Sequence, residues 1–208
     1  TYTWKLNKGG KTMYIDYLSN SRRNGANTGR EYLTAEELAT ITKRELNSSR
    51  LERVRDLYLF ACYTGLTYQD VKAMQDNHVI TAMDGTRWLS ICRPLTSKPL
   101  RIPLLEAACQ IIDKYRDDTT TSLLPVPSVQ KVNAYLKEIA SQCNLGRKLS
   151  FQSARSTFAV TIGIANDMSQ LTLSKLFGFR DYTTRSARIS DKQISKEMLE
   201  LSKKLAAK

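Results

Sequence analysis

The stretch Phe151-Gln152-Ser153-Ala154-Arg155-Ser156-Thr157-Phe158-Ala159 sets one arginine on a helix that is otherwise small, hydroxylic or apolar. A guanidinium stays charged across the physiological pH range and presents a planar fork of donors, which suits a phosphate. The pattern predicts a helix from about 151 to 165. Upstream, Tyr63-Thr64-Gly65-Leu66 marks the end of another helix, stopped by Gly65.

Working outward, Thr34-Ala35-Glu36-Glu37 is a capping box, with the Thr34 hydroxyl and the Glu37 carboxylate placed to satisfy the free amides of a helix start. That helix is expected to run to about Leu46. The next begins near Ser48 or Ser49. Its Leu51, Val54, Leu57 and Leu59-Phe60 form an apolar face that becomes nearly all-round by Cys62, as in a central helix. Thr67-Tyr68-Gln69-Asp70 is a second capping signature, opening a short helix to about Gln75. Between Val79 and Pro103 the period changes. Val79–Thr81, Trp88–Cys92 and Leu100–Ile102 read as strands, with a tight turn at Asp84-Gly85. Three such strands are too few to stand alone and must pack on helices.

Helices resume at Leu104–Tyr115, and a loop follows from Asp117 to Pro127. Val129, Val132, Leu136, Ile139 and Cys143 alternate spacings of three and four, an amphipathic helix. Further helices are expected at Ser169–Phe177 and from about Lys192, the latter with Ile194, Met198, Leu201 and Leu205 on one face. The fold class is therefore mainly α with a small three-stranded antiparallel β-sheet insert. It occupies residues 31–208, after a basic linker or arm over residues 1–30 that carries a short strand at Thr12–Tyr17. A chain starting at Thr1 reads as a piece of a longer protein.

The 208 residues are 41% hydrophobic and 25% charged, as in an ordinary globular protein. No apolar run approaches the roughly 18 residues of a membrane span, and no signal-peptide pattern is present. The formal net charge is +12. The excess is uneven: Lys5, Lys8, Lys11, Arg22, Arg23 and Arg30 face only Asp16 in the first thirty residues. Such an excess favours a polyanion through counterion release and steering, and nucleic acid over a membrane or an acidic protein surface. Cys62, Cys92, Cys109 and Cys143 lack metal-ligand spacing and read as buried free thiols in a reducing, cytoplasmic compartment. The single histidine, His78, excludes any mechanism needing two histidines from this chain and reads as a surface or edge residue.

The order of these motifs resembles the catalytic domain of tyrosine recombinases, the phage-type integrases, and most of all integrases of mobile elements from Bacteroides-type bacteria. The resemblance is carried by Tyr32–Leu38, Arg55–Leu66, Asp70-Val71, Ile102–Leu104, Ser150–Ala159, Leu176–Gly178 and Ala187–Ile189. It implies double-stranded DNA as partner, site-specific DNA integration and recombination as process, and no metal or other cofactor. In that family a tyrosine attacks the phosphodiester, while two arginines, two imidazole-type donors and a hairpin lysine stabilise the charge that develops.

Carried over residue by residue, the resemblance implies that only Arg155 of this cluster is retained. The first arginine's position holds Thr67, the lysine's holds Leu95, the histidine's holds Gln152, the second donor's holds Phe179, and Ser186 or Ala187 falls where the nucleophile belongs. Lys98 and Tyr182 are the nearest candidates for the missing lysine and nucleophile. Lys175, Arg180, Arg185 and Arg188 flank the pocket as candidate DNA contacts together with Arg155. The expectation is a DNA-binding, catalytically degenerate recombinase domain. Two alternatives stay open: an active strand-exchange enzyme using Tyr182 and Lys98, and a protein-interaction module acting through the C-terminal helix on a recombinase partner or on itself. Arg155 itself reads either as a phosphate contact or as a structural arginine paired with an acid such as Asp70.

Overall fold

The computed structural model describes residues 31–92, 99–116, 121–178 and 189–207. Among these the architecture is eight α-helices and one three-stranded antiparallel sheet, the fold class expected. The arm at 1–30, with its strand at Thr12–Tyr17, lies outside the described residues.

Helix α1 (Ala35–Lys43) starts as its capping box dictates: the Thr34 hydroxyl accepts from the Glu37 amide, and the Glu37 carboxylate takes the Thr34 N–H at 2.7 Å. It ends three residues before the expected Leu46. Arg44 turns to extended backbone (φ −66°, ψ 122°), and its carbonyl is taken by Arg55 Nη1 at 2.8 Å. A side chain from the next helix thus replaces the bond that a further helical turn would have made.

Helix α2 (Ser49–Thr64) is the axis of the core. Every residue from Leu57 to Cys62 is buried, and Tyr58 and Phe60 are among the largest side chains wholly out of solvent. Burying each large side chain of this kind contributes about 1.5–3 kcal/mol. Gly65 ends the helix in the left-handed region at φ +69°. A Cβ there would sit 2.7 Å from both Phe158 and Phe177 ring carbons, so the position needs glycine for space as well as for backbone.

Thr67 and Asp70 form the second capping box, opening α3 (Tyr68–Lys72). This helix is shorter than the expected run to Gln75, and a 3₁₀ turn at Asp76–His78 leads into the sheet. His78 is half-buried, its Nδ1 accepting the Gln75 N–H.

Strands β1 (Val79–Thr81), β2 (Arg87–Cys92) and β3 (Pro99–Pro103) lie in sequence order, with Ile80 opposite Trp88 and Leu89 opposite Ile102. The Leu89–Ile102 pair is fully buried against the helices, which a three-stranded sheet requires. Gly85 closes the β1–β2 turn at φ +79°.

Helix α4 (Glu106–Tyr115) begins two residues later than expected, because the Leu104 N–H extends the sheet by bonding the Arg87 carbonyl at 2.8 Å. Helix α5 (Val129–Gln142) buries Val132, Leu136 and Ile139 on the expected stripe.

The expected single helix over 151–165 is instead three pieces. Helix α6 (Phe151–Thr157) passes into a π-helical stretch (Phe158–Gly163) and then a 3₁₀ turn (Ile164–Asn166). Hydrogen bonds from two side chains accompany the change of winding. The Thr161 hydroxyl donates to the Leu33 carbonyl, and Asn166 Nδ2 donates to the carbonyls of Thr161 and Ile162 at 3.1 and 2.9 Å. Helix α7 (Gln170–Leu176) is capped by Ser169, whose N–H and hydroxyl both donate to Glu197 of helix α8 (Asp191–Ala206). The apolar face of α8 buries Ile194, Met198 and Leu201 in the chain's own core.

The cysteine expectation needs one correction. Cys62, Cys109 and Cys143 are buried free thiols, but Cys92 is exposed, because it ends β2 on the outward side of the pleat.

Candidate nucleic-acid interface

Arg155 stands on the fifth residue of α6, half-buried, with its guanidinium clasped between two helix ends. Nη1 donates to the Gly65 carbonyl at 2.6 Å and Nη2 to the Phe177 carbonyl at 3.1 Å. Gly65 and Phe177 are the C-caps of α2 and α7. The carbonyls at helix C-termini carry partial negative charge and favour a cation. The guanidinium carbon also lies 4.0 Å from the centroid of the Phe177 ring, within cation–π range. The head group is therefore held rigid. The two carbonyls fix its direction.

Arg155 forms one wall of an open cleft of about 590 Å³ between α3, α5 and α6. Thr67 and Gln152 line the same cleft. Gln152 is exposed and lies one turn before Arg155 on the same face of α6. The Thr67 hydroxyl donates to Asp70 Oδ2 at 2.8 Å, so that side chain serves the helix cap. Lys175 is exposed on α7 and is not part of the cleft lining. Leu95, Lys98, Phe179, Arg180, Tyr182, Arg185, Ser186 and Arg188 lie outside the described residues.

Sequence reasoning missed three cleft residues. Tyr68 is half-exposed, its hydroxyl donating to the Pro127 carbonyl at 2.7 Å and its ring meeting Phe151 edge to face at 5.7 Å. Asn133 accepts the Phe151 N–H at 2.9 Å and so caps the start of α6 from α5, a task Ser150 does not perform. Phe177 was visible as part of a motif, but not as the platform for Arg155. Nothing local in the sequence marks Asn133, which sits on the polar side of an amphipathic helix.

Tyr58, Tyr63, Tyr68 and Tyr115 all have phenol pKa values displaced upward, burial being the first cause in each. That is the reverse of what activates a phenolate nucleophile. Among the described residues no group of three or more His, Cys, Asp or Glu side chains is placed to hold a metal ion, and no helix is long and apolar enough to cross a membrane.

The integrase from mycobacterium phage Brujita superposes on 82% of this chain with a TM-score of 0.62 at 14% identity. XerH site-specific recombinase, bound to its difH substrate in a pre-cleavage complex, covers 80% with a TM-score of 0.58 at 14% identity. Lambda integrase, as a dimer bound to a COC′ core site, covers 91% with a TM-score of 0.56 at 18% identity. The fold is that of a tyrosine-recombinase catalytic domain. The chain spans 57%, 53% and 53% of those three structures, a little over half of each. No family model matches the sequence, and no curated protein matches it. In this recombinase fold α2 and α7 present their C-terminal ends to one arginine, and the sheet flanks α7 and α8 through β3.

Proposed function

We propose that this chain is a DNA-binding domain of the tyrosine-recombinase type, from a mobile-element integrase, that grips duplex DNA and has little or no strand-cleavage activity. The observation that carries the reading is the fixed guanidinium of Arg155 on the cleft wall, tied to two helix-end carbonyls. Such a head group is preorganised for a phosphate oxygen and loses little freedom on binding. A net charge of +12 supports the same partner. Loss of cleavage is supported by the side chains at the family's catalytic positions: Thr67 is a helix cap and Gln152 cannot shuttle a proton at neutral pH. The domain occupies residues 31–208, with 1–30 as a basic arm, and its role in the cytoplasm is accessory: regulating excision, or occupying element ends.

The test is duplex binding by fluorescence anisotropy from 50 to 300 mM salt. The expected log–log slope is about −0.9 per phosphate neutralised. A flat response overturns the reading.

A further inference from the structure

The cleft beside Arg155 is larger and chemically richer than a single phosphate contact requires. Its roughly 590 Å³ falls in the range of sites that enclose small organic ligands. Its lining combines the aromatic ring of Tyr68 with three carboxamides, Gln69, Asn133 and Gln152, and places Arg155 at one wall. Tyr68 is held firmly, by its bond to Pro127 and its edge-to-face contact with Phe151, yet remains half-exposed. A rigid, partly open aromatic ring is the kind of surface on which a base stacks, whatever its identity.

The carboxamides supply edge recognition. Gln69 and Gln152 each carry a donor and an acceptor side by side, the arrangement that base edges require. Asn133 is also oriented: its oxygen accepts the Phe151 N–H, so the group it can offer a ligand is its NH₂ donor. Arg155, three amides and an aromatic ring share one lining, beside the Glu31 carboxylate, and match the two ends of a nucleotide, phosphate and base.

We propose that this cleft receives one unpaired nucleobase of the bound strand while Arg155 holds the adjoining phosphate. The proposal rests on the DNA-binding reading above. Extracting a base from a continuous duplex costs stacking and pairing, so a base already unpaired enters most readily. The protein therefore prefers a duplex bearing a bulge to the same duplex fully paired.

The experiment compares a duplex carrying a single bulged 2-aminopurine with its fully paired counterpart, on the full chain, reading anisotropy and 2-aminopurine emission together. The bulged duplex is expected to bind at least about five-fold more tightly, with its emission quenched by stacking on binding. Gln69→Trp, which fills the cleft from an exposed position on α3, is expected to bring the affinity ratio to about one and abolish the quenching. Tyr68→Leu is expected to do the same, with its fold checked by circular dichroism. Equal affinities with unchanged emission, alongside salt-dependent binding of both duplexes, overturn the proposal and leave DNA binding standing. Salt-independent binding, or none, removes the DNA reading itself.

Discussion

Arg155 on α6 donates from Nη1 to the carbonyl oxygen of Gly65 at 2.6 Å, joining the arginine to the C-terminal end of the central helix. The carbonyl can be there only because Gly65 sits at φ +69° with the rings of Phe158 and Phe177 packed where a Cβ would be. Gly65→Ala is therefore expected to destabilise the fold by about 2–4 kcal/mol, through a left-handed alanine and a steric clash together. Urea unfolding measures it, and a loss below about 0.5 kcal/mol would show that the loop relaxes freely.

Arg155→Lys tests the clasp. An ammonium is a point charge on a flexible stem and cannot span the Gly65 and Phe177 carbonyls as a planar fork does. The expected outcome is a stability loss of about 1–3 kcal/mol and weaker duplex binding despite the retained charge. Unchanged affinity would mean that charge alone, without preorganisation, accounts for binding.

Thr157 and Thr161 hold the chain entry by its backbone. The Leu33 N–H donates to the Thr157 hydroxyl at 2.9 Å, and the Leu33 carbonyl accepts from the Thr161 hydroxyl. Both threonines are buried. Thr157→Val leaves a buried N–H without its partner and is expected to cost about 1–3 kcal/mol. Thr161→Val should cost a similar amount and shift the π-helical stretch toward regular α-helix. Hydrogen exchange at Leu33, faster in the first variant, is the local readout.

Alkaline stability should depend on Asp56. This buried carboxylate accepts from Arg55 Nε at 2.9 Å, Lys114 Nζ at 2.7 Å and the Tyr115 hydroxyl at 2.9 Å. Burial acts to lower the Lys114 pKa, but hydrogen bonds to Asp56 and Glu52 outweigh it and raise the ammonium above an ordinary lysine. Burial first, and Asp56 second, push Tyr115 up to about 12. Both folded values exceed the unfolded ones of about 10. Their stabilisation is thus complete below pH ~10 and declines as pH rises toward ~12. Urea midpoints from pH 8 to 12 should fall across that window, and Tyr115→Phe should flatten the decline. Asp56→Asn is expected to cost about 3 kcal/mol at pH 7.

Strand cleavage is tested on a nicked suicide duplex. No covalent protein–DNA adduct is expected. An adduct that disappears in Tyr182→Phe would overturn the loss of cleavage and restore a working nucleophile to this chain.

Several features were legible because their causes lie within a few residues. Both capping boxes, the Gly65 stop, the three strands and the stripe of α5 follow from local spacing, and each occurs as expected. The end of α1 was not legible, since it depends on Arg55 reaching back to the Arg44 carbonyl. Nor was the break after Thr157, which depends in part on Leu33, 128 residues from Thr161 in sequence. For the site, Arg155 and Gln152 were readable as one helix face. Tyr68 and Asn133 were not, because their relevance comes from α3 and α5 lying beside α6.

By itself the amino-acid sequence determined which segments form helices and strands, which faces are apolar, and that one arginine occupies an otherwise uncharged helix. Those outcomes rest on short-range hydrogen bonds and periodic burial, which neighbouring residues specify. The tertiary structure alone decided what that arginine holds and what surrounds it. Two backbone carbonyls, at Gly65 and Phe177, carry no side-chain signature, and only the packing of α2, α6 and α7 brings them to one guanidinium.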